Sequence, residues 1–440
     1  MTRMRVGLGI SMVEIEKARS LRERPTNPDA FDLVLQARAL GNRPPNLQRN
    51  DEQQALYERA LSLDPSSVPA LTELAFLLMV KAPPGGSWGT TENMQRAGSL
   101  LVRAHAIAPE SRSVLNYKVQ WLQKLGRFQE AVAVAEDLIQ RFPNFEAGYF
   151  DLAQSKIVAG HAEEAIPLSE KAIRLNPRSA WLFNRYRDMG FASLMLGRDR
   201  DAITFLERSL AINPDDNSES QWIYRFLAAA DARSGLIPEA KHALAEADRL
   251  WPYDTVRMHW PDDPSSPVYA EQIRHFQDAL RLAGERDHAE EEADFGVVAD
   301  SALHSDFAGL TPTSAPGVTT IRTADLVRLL AQARPIVIDT VSYSWGRSIR
   351  RAVGLNNAGL GGSYTDATQD HLRSKLHELT AGDLSRPVVA VGWNSERFDG
   401  RNLALRLTTL GYTRVYWYRG GREAWEVNGL PETDVDVQEW

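Results

Sequence analysis

The stretch "GRFQEAVAVAEDLIQRFP", residues 126–143, recurs three more times along the chain. The later copies are "GHAEEAIPLSEKAIRLNP" (160–177), "GRDRDAITFLERSLAINP" (197–214) and "GLIPEAKHALAEADRLWP" (235–252). Each copy begins with glycine, has alanine five places on and ends with proline seventeen places on. The glycines are 34, 37 and 38 residues apart. A repeat of this length predicts a stack of helical hairpins, in which each pair buries its apolar face against the next.

The three shared positions suit a turn, a helix crossing and a helix end. Glycine adopts the left-handed conformation that ends a first helix. Alanine lets two helices cross closely, and a larger side chain there would overpack the contact. Proline cannot continue a helix and therefore closes the second one. The glycines are Gly126, Gly160, Gly197 and Gly235, and the alanines are Ala131, Ala165, Ala202 and Ala240.

This pattern resembles the tetratricopeptide repeat (TPR), which is built from helix pairs of this length. Three tyrosines occupy the family's aromatic position, eleven residues before the glycine: Tyr149, Tyr186 and Tyr224. Weaker copies end at Pro65 and Pro109, so the resemblance covers about residues 50–255. It implies an all-α helical solenoid.

Groove residues in this family lie on the first helix of each pair, so the resemblance implies a groove that binds a partner protein or peptide. The equivalent positions here are Asn116, Gln120, Phe150, Gln154, Arg187, Phe191 and Arg225. They do not match the lysine–asparagine clamp that some members use for C-terminal carboxylates. Arg187 and Arg225 would either accept an acidic peptide or be surface arginines exposed to water.

A sequence before the repeats, "RERPTNPDAFDLVLQARAL" (22–40), resembles the junction that precedes the repeats in some bacterial proteins with a nucleotide-cyclase domain. No segment of this sequence has room for that catalytic domain. A regulatory part of a nucleotide-cyclase system is therefore one alternative function.

The last third of the chain, residues 317–434, alternates strand and helix signals. The segments "PIVIDT" (335–340), "PVVAVGW" (387–393) and "RVYWY" (414–418) predict strands. The segments "TADLVRLLAQA" (323–333), "TDATQDHLRSKLHEL" (365–379) and "RNLALRLTTLGY" (401–412) predict helices. This order predicts an α/β domain with a central parallel sheet and helices on both faces.

The details of this domain resemble a rhodanese. "PIVIDT" matches the family's first strand, with its aspartate at Asp339, and "YRGGREAWEVNGLP" (418–431) matches its closing signature. In a rhodanese a cysteine thiolate attacks a sulfur donor and holds a persulfide, and the loop amides and helix dipole lower the pKa of the thiol. This chain has no cysteine. The family has glycine three places and arginine five places after the cysteine; counted from Gly392, these are Ser395 and Arg397, so only the arginine remains.

We therefore expect the loop to recognise an anion or a protein without transferring sulfur. The candidate anion-binding residues are Gly392, Trp393, Asn394, Ser395, Arg397 and Arg401. No catalytic residue is assigned. The alternative is an enzyme of another class, with hydrolytic or phosphoryl chemistry around Ser395, Arg397 and Asp339. A base within hydrogen-bond reach of Ser395 would favour that enzyme.

Composition narrows the classes of function further. The net charge of -8 argues against a nucleic-acid partner, since phosphates attract a basic surface. The absence of cysteine excludes disulfides and thiolate metal sites, and we expect no metal and no cofactor. The N-terminal residues 1–20 predict an amphipathic helix, and no stretch is long and apolar enough to span a bilayer. We expect a cytoplasmic protein with no membrane partner; the oligomeric state stays open.

The predicted domains are an N-terminal helical segment (1–49), TPR helical repeats (50–283), a linker (284–316), a rhodanese-like domain (317–434) and a tail (435–440). The linker prediction follows from its composition, which is acidic first and then small and polar. Together these features predict a non-catalytic protein-interaction scaffold that carries a degenerate rhodanese-like domain.

Overall fold

The computed structural model describes residues 28–41, 47–81, 91–179, 181–212, 220–258, 266–340 and 347–437. The chain divides into two compact units. The first unit comprises Met1–Lys81, Asn93–Leu250 and Asp263–Ala279, and the second comprises Ala82–Glu92, Trp251–Asp262 and Leu280–Trp440. The predicted amphipathic helix at residues 1–20 lies outside the described residues.

The first unit is a TPR-like helical solenoid. Its helices are α1 (Pro28–Gly41), α2 (Leu47–Leu63), α3 (Val68–Val80), α4 (Thr91–Ile107), α5 (Arg112–Lys124), α6 (Phe128–Arg141), α7 (Glu146–Val158), α8 (Ala162–Leu175), α9 (Leu182–Met195), α10 (Asp199–Ile212), α11 (Ser220–Arg233), α12 (Ile237–Leu250) and α13 (Pro267–Ala283). Helices α1 to α12 follow one another as six pairs, and the first helices of successive pairs contact each other. Within the described ranges, no helix is both long and apolar enough to cross a membrane.

The repeat positions have the roles that the sequence predicts. The four repeat glycines all have positive φ, at 71°, 88°, 72° and 77°. The four repeat alanines are completely buried. The predicted left-handed turn is therefore confirmed in all four strong repeats, and the burial of the alanines agrees with a close contact between helices.

The solenoid begins earlier than the sequence predicts. Helix α2 crosses the predicted boundary between residues 49 and 50, and it packs against α1. Ala30 and Val34 of α1 are buried in a core that also contains Tyr57 of α2 and Leu71 of α3. The described part of the predicted N-terminal segment therefore belongs to the solenoid.

Helix α13 covers part of the surface formed by the first helices. Its buried side chains within the first unit recur at helical spacing: Tyr269, Ile273, Phe276 and Ala279. The ring of Phe276 lies 6.2 Å from that of Phe191 on α9 and 5.7 Å from that of Phe226 on α11, centroid to centroid. Ser266, just before α13, donates a hydrogen bond of 3.1 Å to the carbonyl of Ala159.

The second unit contains a small parallel sheet. Its strands are β1 (Thr319–Ile321), β2 (Ile336–Asp339), β3 (Arg347–Ile349), β4 (Val353–Gly354), β5 (Val388–Val391), β6 (Val415–Tyr418), β7 (Glu432–Asp434) and β8 (Asp436–Val437). Six of them form one sheet in the order β1-β6-β5-β2-β4-β8, with every pairing parallel, and β3 pairs with β7 in antiparallel fashion. The helices are α14 (Thr323–Gln332), α15 (Ala367–Thr380), α16 (Asp399–Thr409) and α17 (Gly421–Val427).

Both faces of this sheet are buried. Val388 and Ala390 of β5 belong to one apolar cluster, whereas Val389 and Val391 belong to another. Successive side chains of a strand point to opposite faces, so the two clusters lie on the two sides of the sheet. The predicted alternation of buried strands and covering helices is confirmed.

Two predicted non-structural segments belong to the fold of the second unit. Residues 284–316, predicted to be a linker, pack along the sheet unit: Ala308 forms an antiparallel bridge with Arg397, and Phe398 N–H donates to the Phe307 carbonyl at 2.7 Å. The predicted tail contributes β8, which pairs with β4. Their composition predicted a linker and a tail without regular structure, but both segments form backbone hydrogen bonds with the rest of the second unit.

Candidate functional site

The predicted groove contains a cluster of buried polar side chains on three consecutive first helices. Gln120 on α5 donates a 3.3 Å hydrogen bond to the Asp151 carboxylate on α7. Asp151 is 3% exposed, and Asp188 on the next first helix, α9, is 5% exposed. Asp188 Oδ1 accepts from Arg187 at 2.9 Å. Gln154 is close enough to Asp188 to lower the pKa of that carboxyl.

Burial shifts the titration of both carboxyls. Loss of hydration raises the pKa of Asp151 to about 7, and the negative charges of Glu146 and Asp188 act in the same direction. The hydrogen bond from Gln120 and the charge of Arg185 oppose this shift. Burial likewise raises the pKa of Asp188, although Arg187 opposes the change. Burying a carboxyl in this way costs free energy of folding.

Phe150 is covered by an arginine that the sequence did not single out. The guanidinium carbon of Arg185 lies 3.8 Å from the centroid of the Phe150 ring. Arg185 also donates to the Glu146 carboxylate at 2.7 Å. The side chain of Arg185 is nearly buried, so this cation–π contact is among the stronger kind.

The other predicted groove residues are engaged elsewhere. Phe191 stacks on Phe226 at 4.5 Å between centroids and is covered by Phe276. Arg225 is completely buried and donates to Asp248 at 2.9 Å. The structure therefore brings together the positions on α5, α7 and the start of α9, and α13 covers the next part of the face.

Sequence reasoning missed Asp151 and Asp188, although a signal was present. Each stands nine residues before its repeat glycine, at the same position of consecutive repeats. The flanking strong repeats have Tyr117 and Phe226 at that position. A carboxylate that replaces an aromatic residue at an inward-facing position marks a place where the sequence departs from what packing alone favours.

In the second unit, the loop between β5 and α16 has the predicted strand–loop–helix setting. A side chain at Gly392 would approach Asp399 Oδ1 to 2.3 Å and Gly400 N to 2.6 Å, so the position requires glycine. Asp399 Oδ1 accepts from the Gly400 amide at 2.9 Å. The start of the loop is therefore closed by the first turn of α16.

The polar residues of this loop are bound by other parts of the same unit. Ser395 is completely buried, and its hydroxyl donates to the Glu290 carbonyl at 2.8 Å. Asn394 donates to the Glu423 carboxylate at 2.9 Å, and that carboxylate also accepts from the Ala289 amide at 2.8 Å. Burial raises the pKa of Glu423, and these hydrogen bonds oppose the shift.

The two loop arginines differ in how many hydrogen-bond partners they have. Arg401 is completely buried; it donates to the Asp300 carboxylate at 2.6 Å and to the Ala302 carbonyl at 2.9 Å. Arg397 lies over the Phe307 ring, 5.6 Å from its centroid. Its Nε has no hydrogen-bond partner within the described part of the unit. The two guanidinium groups do not jointly bind any residue that the structure describes.

Trp393 and Asp339 meet around one further arginine. The Arg422 guanidinium lies 5.0 Å from the Trp393 ring centroid, and its Nε lies 3.6 Å from Asp339 Oδ2. Asp339 also accepts a hydrogen bond from Ser348. Asp339 is thus buried and has partners within the second unit.

A cavity of about 350 Å³ adjoins the loop and is lined in part by Arg286, Glu290 and Glu396. Arg286 donates to both oxygens of Glu396, at 2.5 and 2.8 Å. The charge of this arginine is therefore balanced within the wall of the cavity.

One group of potential metal ligands occurs among the described residues. His161, Glu163 and Glu164 bring ligand atoms within 4.8 Å of one another, and all three are exposed. Glu164 also binds Lys156 at 2.9 Å. Exposed acidic groups commonly bind lysine in this way, and we assign no metal to them.

No protein-family model matches this chain, and no curated protein matches it. Solved structures do match. A chain of the APC/C Cut9–Hcn1 hetero-tetramer is 14% identical, with a TM-score of 0.44, over 59% of this chain and 45% of that chain. This chain therefore spans less than half the length of that protein. The type IV pilus biogenesis factor PilW is 15% identical, with a TM-score of 0.43, over 52% and 96% of the two chains.

A thermophilic TPR protein of Thermus thermophilus, TTC0263, is 21% identical, with a TM-score of 0.35, over 49% of this chain and 100% of that chain. All three identities are below 25%, and all three TM-scores are below 0.5. The TPR-like description therefore depends on this chain's own repeats, glycine turns and helix pairs.

Proposed function

We propose that this protein is a non-catalytic interaction scaffold whose solenoid binds a segment of a partner protein in the predicted groove. The observation that carries the proposal is the pair of buried carboxyls, Asp151 and Asp188, at equivalent positions of neighbouring first helices. Tyr117 and Phe226 occupy the equivalent position in the flanking repeats, so an aromatic residue can pack there. A buried carboxyl at the same position destabilises the fold. Destabilising, titration-shifted groups cluster at functional sites.

The rest of the face supports the same proposal. Gln120 and Gln154 offer amide groups beside the two carboxyls, on helices that contact one another. Stacked helical pairs present their first helices as an extended binding surface. A partner segment would lie across α5, α7 and α9, because α13 covers the face at Phe191.

For the second unit, we propose a rhodanese-like domain that contributes no sulfur transfer. The parallel sheet with interleaved helices agrees with what the sequence resemblance implies. A hydroxyl cannot form a persulfide, and the chain has no thiol. No observation favours the alternative enzyme around Ser395, because its hydroxyl donates to the Glu290 carbonyl and its side chain is completely buried. A role in a nucleotide-cyclase system stays a prediction.

Affinity capture with the intact chain tests the scaffold proposal. The groove variant is Asp151→Asn with Asp188→Asn, and the control variant is Asp137→Asn with Asp201→Asn. The control removes the same two charges from more exposed positions of second helices. We expect the unaltered chain and the control to enrich the same partner from an extract of the source cells, and the groove variant to recover about tenfold less. Equal recovery by the groove variant would overturn the proposal.

A thiosulfate:cyanide assay tests the proposal for the second unit. The purified chain should give only the uncatalysed background rate, because no atom in it can carry sulfane sulfur as a persulfide. Turnover above that background, unchanged after Ser395→Ala, would show that another group carries out the transfer and would overturn the assignment.

A further inference from the structure

The predicted groove contains buried hydrogen-bond acceptors that the described residues leave unsatisfied. Asp188 Oδ2, Asn116 Oδ1 and Asn184 Oδ1 are buried and have no hydrogen-bond partner in the part of the chain that the structure describes. Asn116 is only 8% exposed. Buried polar atoms normally have partners, so three unsatisfied acceptors in one region require an explanation.

These acceptors lie along the same row as the buried carboxyls. Asn116 stands one helical turn before Gln120, whose amide reaches Asp151. Asn184 stands one turn before Asp188 on α9. Residues four apart share one face of a helix. The row therefore has unsatisfied acceptors on α5 and α9, and between them lies the Asp151 carboxyl on α7, which accepts from Gln120.

A ligand that satisfies these acceptors must bring hydrogen-bond donors, either N–H or O–H groups. A carboxylate or phosphate would add further acceptors and negative charge beside Asp151 and Asp188. An ammonium or guanidinium group would instead supply donors and charge of the opposite sign, which gives shorter and stronger hydrogen bonds than neutral pairs. The chemistry of the row thus favours a basic ligand.

We propose that the groove binds an extended basic segment of a partner protein, whose Lys or Arg side chains bind Asp151 and Asp188 and whose amide donor reaches Asn116. This inference rests on the proposed scaffold function and names the class of partner for the same groove. It replaces the acidic peptide that Arg187 and Arg225 suggested from sequence.

Arg187 occupies part of this site in the free protein. It donates to Asp188 Oδ1 through Nε at 3.0 Å and through Nη2 at 2.9 Å, although it is the adjacent residue of the same helix. Adjacent helical residues do not face each other, so the long side chain must bend back to reach this carboxylate. A basic ligand competes with Arg187, whereas an acidic ligand would be attracted by it.

The spacing of the helices sets the spacing of the basic residues. Neighbouring packed helices lie about 8–10 Å apart. An extended segment advances about 3.3 Å per residue, so basic residues about three positions apart match Asp151 and Asp188.

Fluorescence polarisation with the full chain and three labelled peptides of equal length tests the inference. All three peptides have the same background of Ala, Gln and Ser. One carries two Arg three positions apart, the second carries two adjacent Arg, and the third carries two Glu three positions apart. The adjacent-Arg peptide has the same charge as the first and reports nonspecific attraction to the acidic chain.

We expect the spaced-Arg peptide to bind about tenfold more tightly than either other peptide. Asp188→Asn should weaken its binding about tenfold, and Asp137→Asn, a more exposed control on α6, should leave it unchanged. Arg187→Gln should tighten it, because the competing guanidinium is gone. Thermal unfolding of each variant separates loss of binding from loss of fold.

Several outcomes would overturn the inference. Two of them concern the peptides: equal binding of the two Arg peptides, and no measurable binding of any peptide. A third is that the Glu peptide binds most tightly and that Arg187→Gln weakens its binding. The fourth is that Asp188→Asn and Asp137→Asn have equal effects on binding of the spaced-Arg peptide. If partner capture still depends on the groove carboxyls in any of these cases, the scaffold function stands and only the basic specificity fails. If capture does not depend on them, the scaffold function itself fails.

Discussion

The predicted groove of the solenoid and the loop after β5 both bury polar and charged side chains, but they differ in the hydrogen-bond partners of those side chains. In the loop, Ser395, Asn394 and Arg401 are hydrogen-bonded to residues of the same unit. In the groove, Asp188 and Asn116 retain acceptors without partners in the described residues. Burial of a polar side chain therefore does not by itself indicate a site. The loop also keeps buried donors without a partner among the described residues, Nε of Arg397 and Nε of Arg401, so the two regions differ in the kind of hydrogen-bonding capacity left unused: donors in the loop and acceptors in the groove.

The difference also separates two uses of buried charge. Arg401 fastens the segment around Asp300 and Ala302 to α16, so its charge stabilises the fold of the second unit. The buried carboxyls of the groove have pKa values raised by loss of hydration, so they weaken the fold at neutral pH. Removal of the Arg401 side chain should therefore destabilise the protein, whereas neutralisation of a groove carboxyl should stabilise it.

The largest expected effect is at Arg401. Arg401→Ala removes the donors for two carbonyls and one carboxylate and leaves a cavity, so it should destabilise the second unit by roughly 2–4 kcal/mol. Amide hydrogen exchange of peptides from residues 388–418 in the full chain measures this local opening.

Arg397→Ala is the matched control, since the same substitution four residues earlier removes a partly exposed side chain. It should cost less than about 1 kcal/mol. Equal losses for the two variants, or no loss for Arg401→Ala, would contradict the structural role of Arg401 and restore the predicted anion site.

The next largest effect is the pH dependence of Asp151→Asn. The folded protein holds the Asp151 proton up to a pKa of about 7, whereas the unfolded chain loses it near the ordinary aspartate value. The folded state therefore binds more protons, and stability from this group is present at low pH and is lost as the pH rises toward 7. Asparagine stays neutral, so the variant should be more stable than the unaltered chain by roughly 2–4 kcal/mol at about pH 8.

Thermal unfolding at about pH 5 and about pH 8 checks this prediction. The gain from Asp151→Asn should be larger at the higher pH, and the charges that act on Asp151, from Glu146, Arg185 and Asp188, are unchanged by the variant. Asp137→Asn, which removes one carboxylate from a more exposed position on α6, is the control for the loss of a negative charge. A loss of stability at the higher pH would mean that the ionised Asp151 has enough partners in the free protein.

Local sequence rules predicted the solenoid and the sheet, because each repeat carries its own signals. Glycine at positive φ and buried alanine recur at Gly126 and Ala131 and at the equivalent positions of the other repeats. The alternation around β5 likewise needs only apolar runs and helix periodicity. The groove itself stays a prediction: Gln120 and Gln154 lie beside Asp151 and Asp188, two carboxyls that the sequence analysis did not single out.

The packing of residues 284–316 was beyond sequence reasoning. This segment has no helical or strand period, and its partners are distant in the chain: Asp300 and Arg401 are 101 residues apart. Its contacts are single hydrogen bonds, from side chains such as Ser395 to the Glu290 carbonyl or from backbone amides such as Phe398 to the Phe307 carbonyl. Composition reports neither kind of contact.

The smallest expected effect is at Ser395. Ser395→Ala removes one neutral hydrogen bond to the Glu290 carbonyl and should destabilise the second unit by about 1 kcal/mol. Hydrogen exchange over residues 388–418 measures the change. The variant should recover the partner as well as the unaltered chain does. Loss of partner binding without further loss of stability would point to a functional hydroxyl.

Hydrogen exchange of the full chain, with and without the captured partner, compares the two regions most directly. We expect the partner to slow exchange in the first helices of the groove, residues 112–124, 146–158 and 182–195, and to leave residues 388–401 unchanged. Protection confined to residues 388–401 would contradict the assignment of partner binding to the groove.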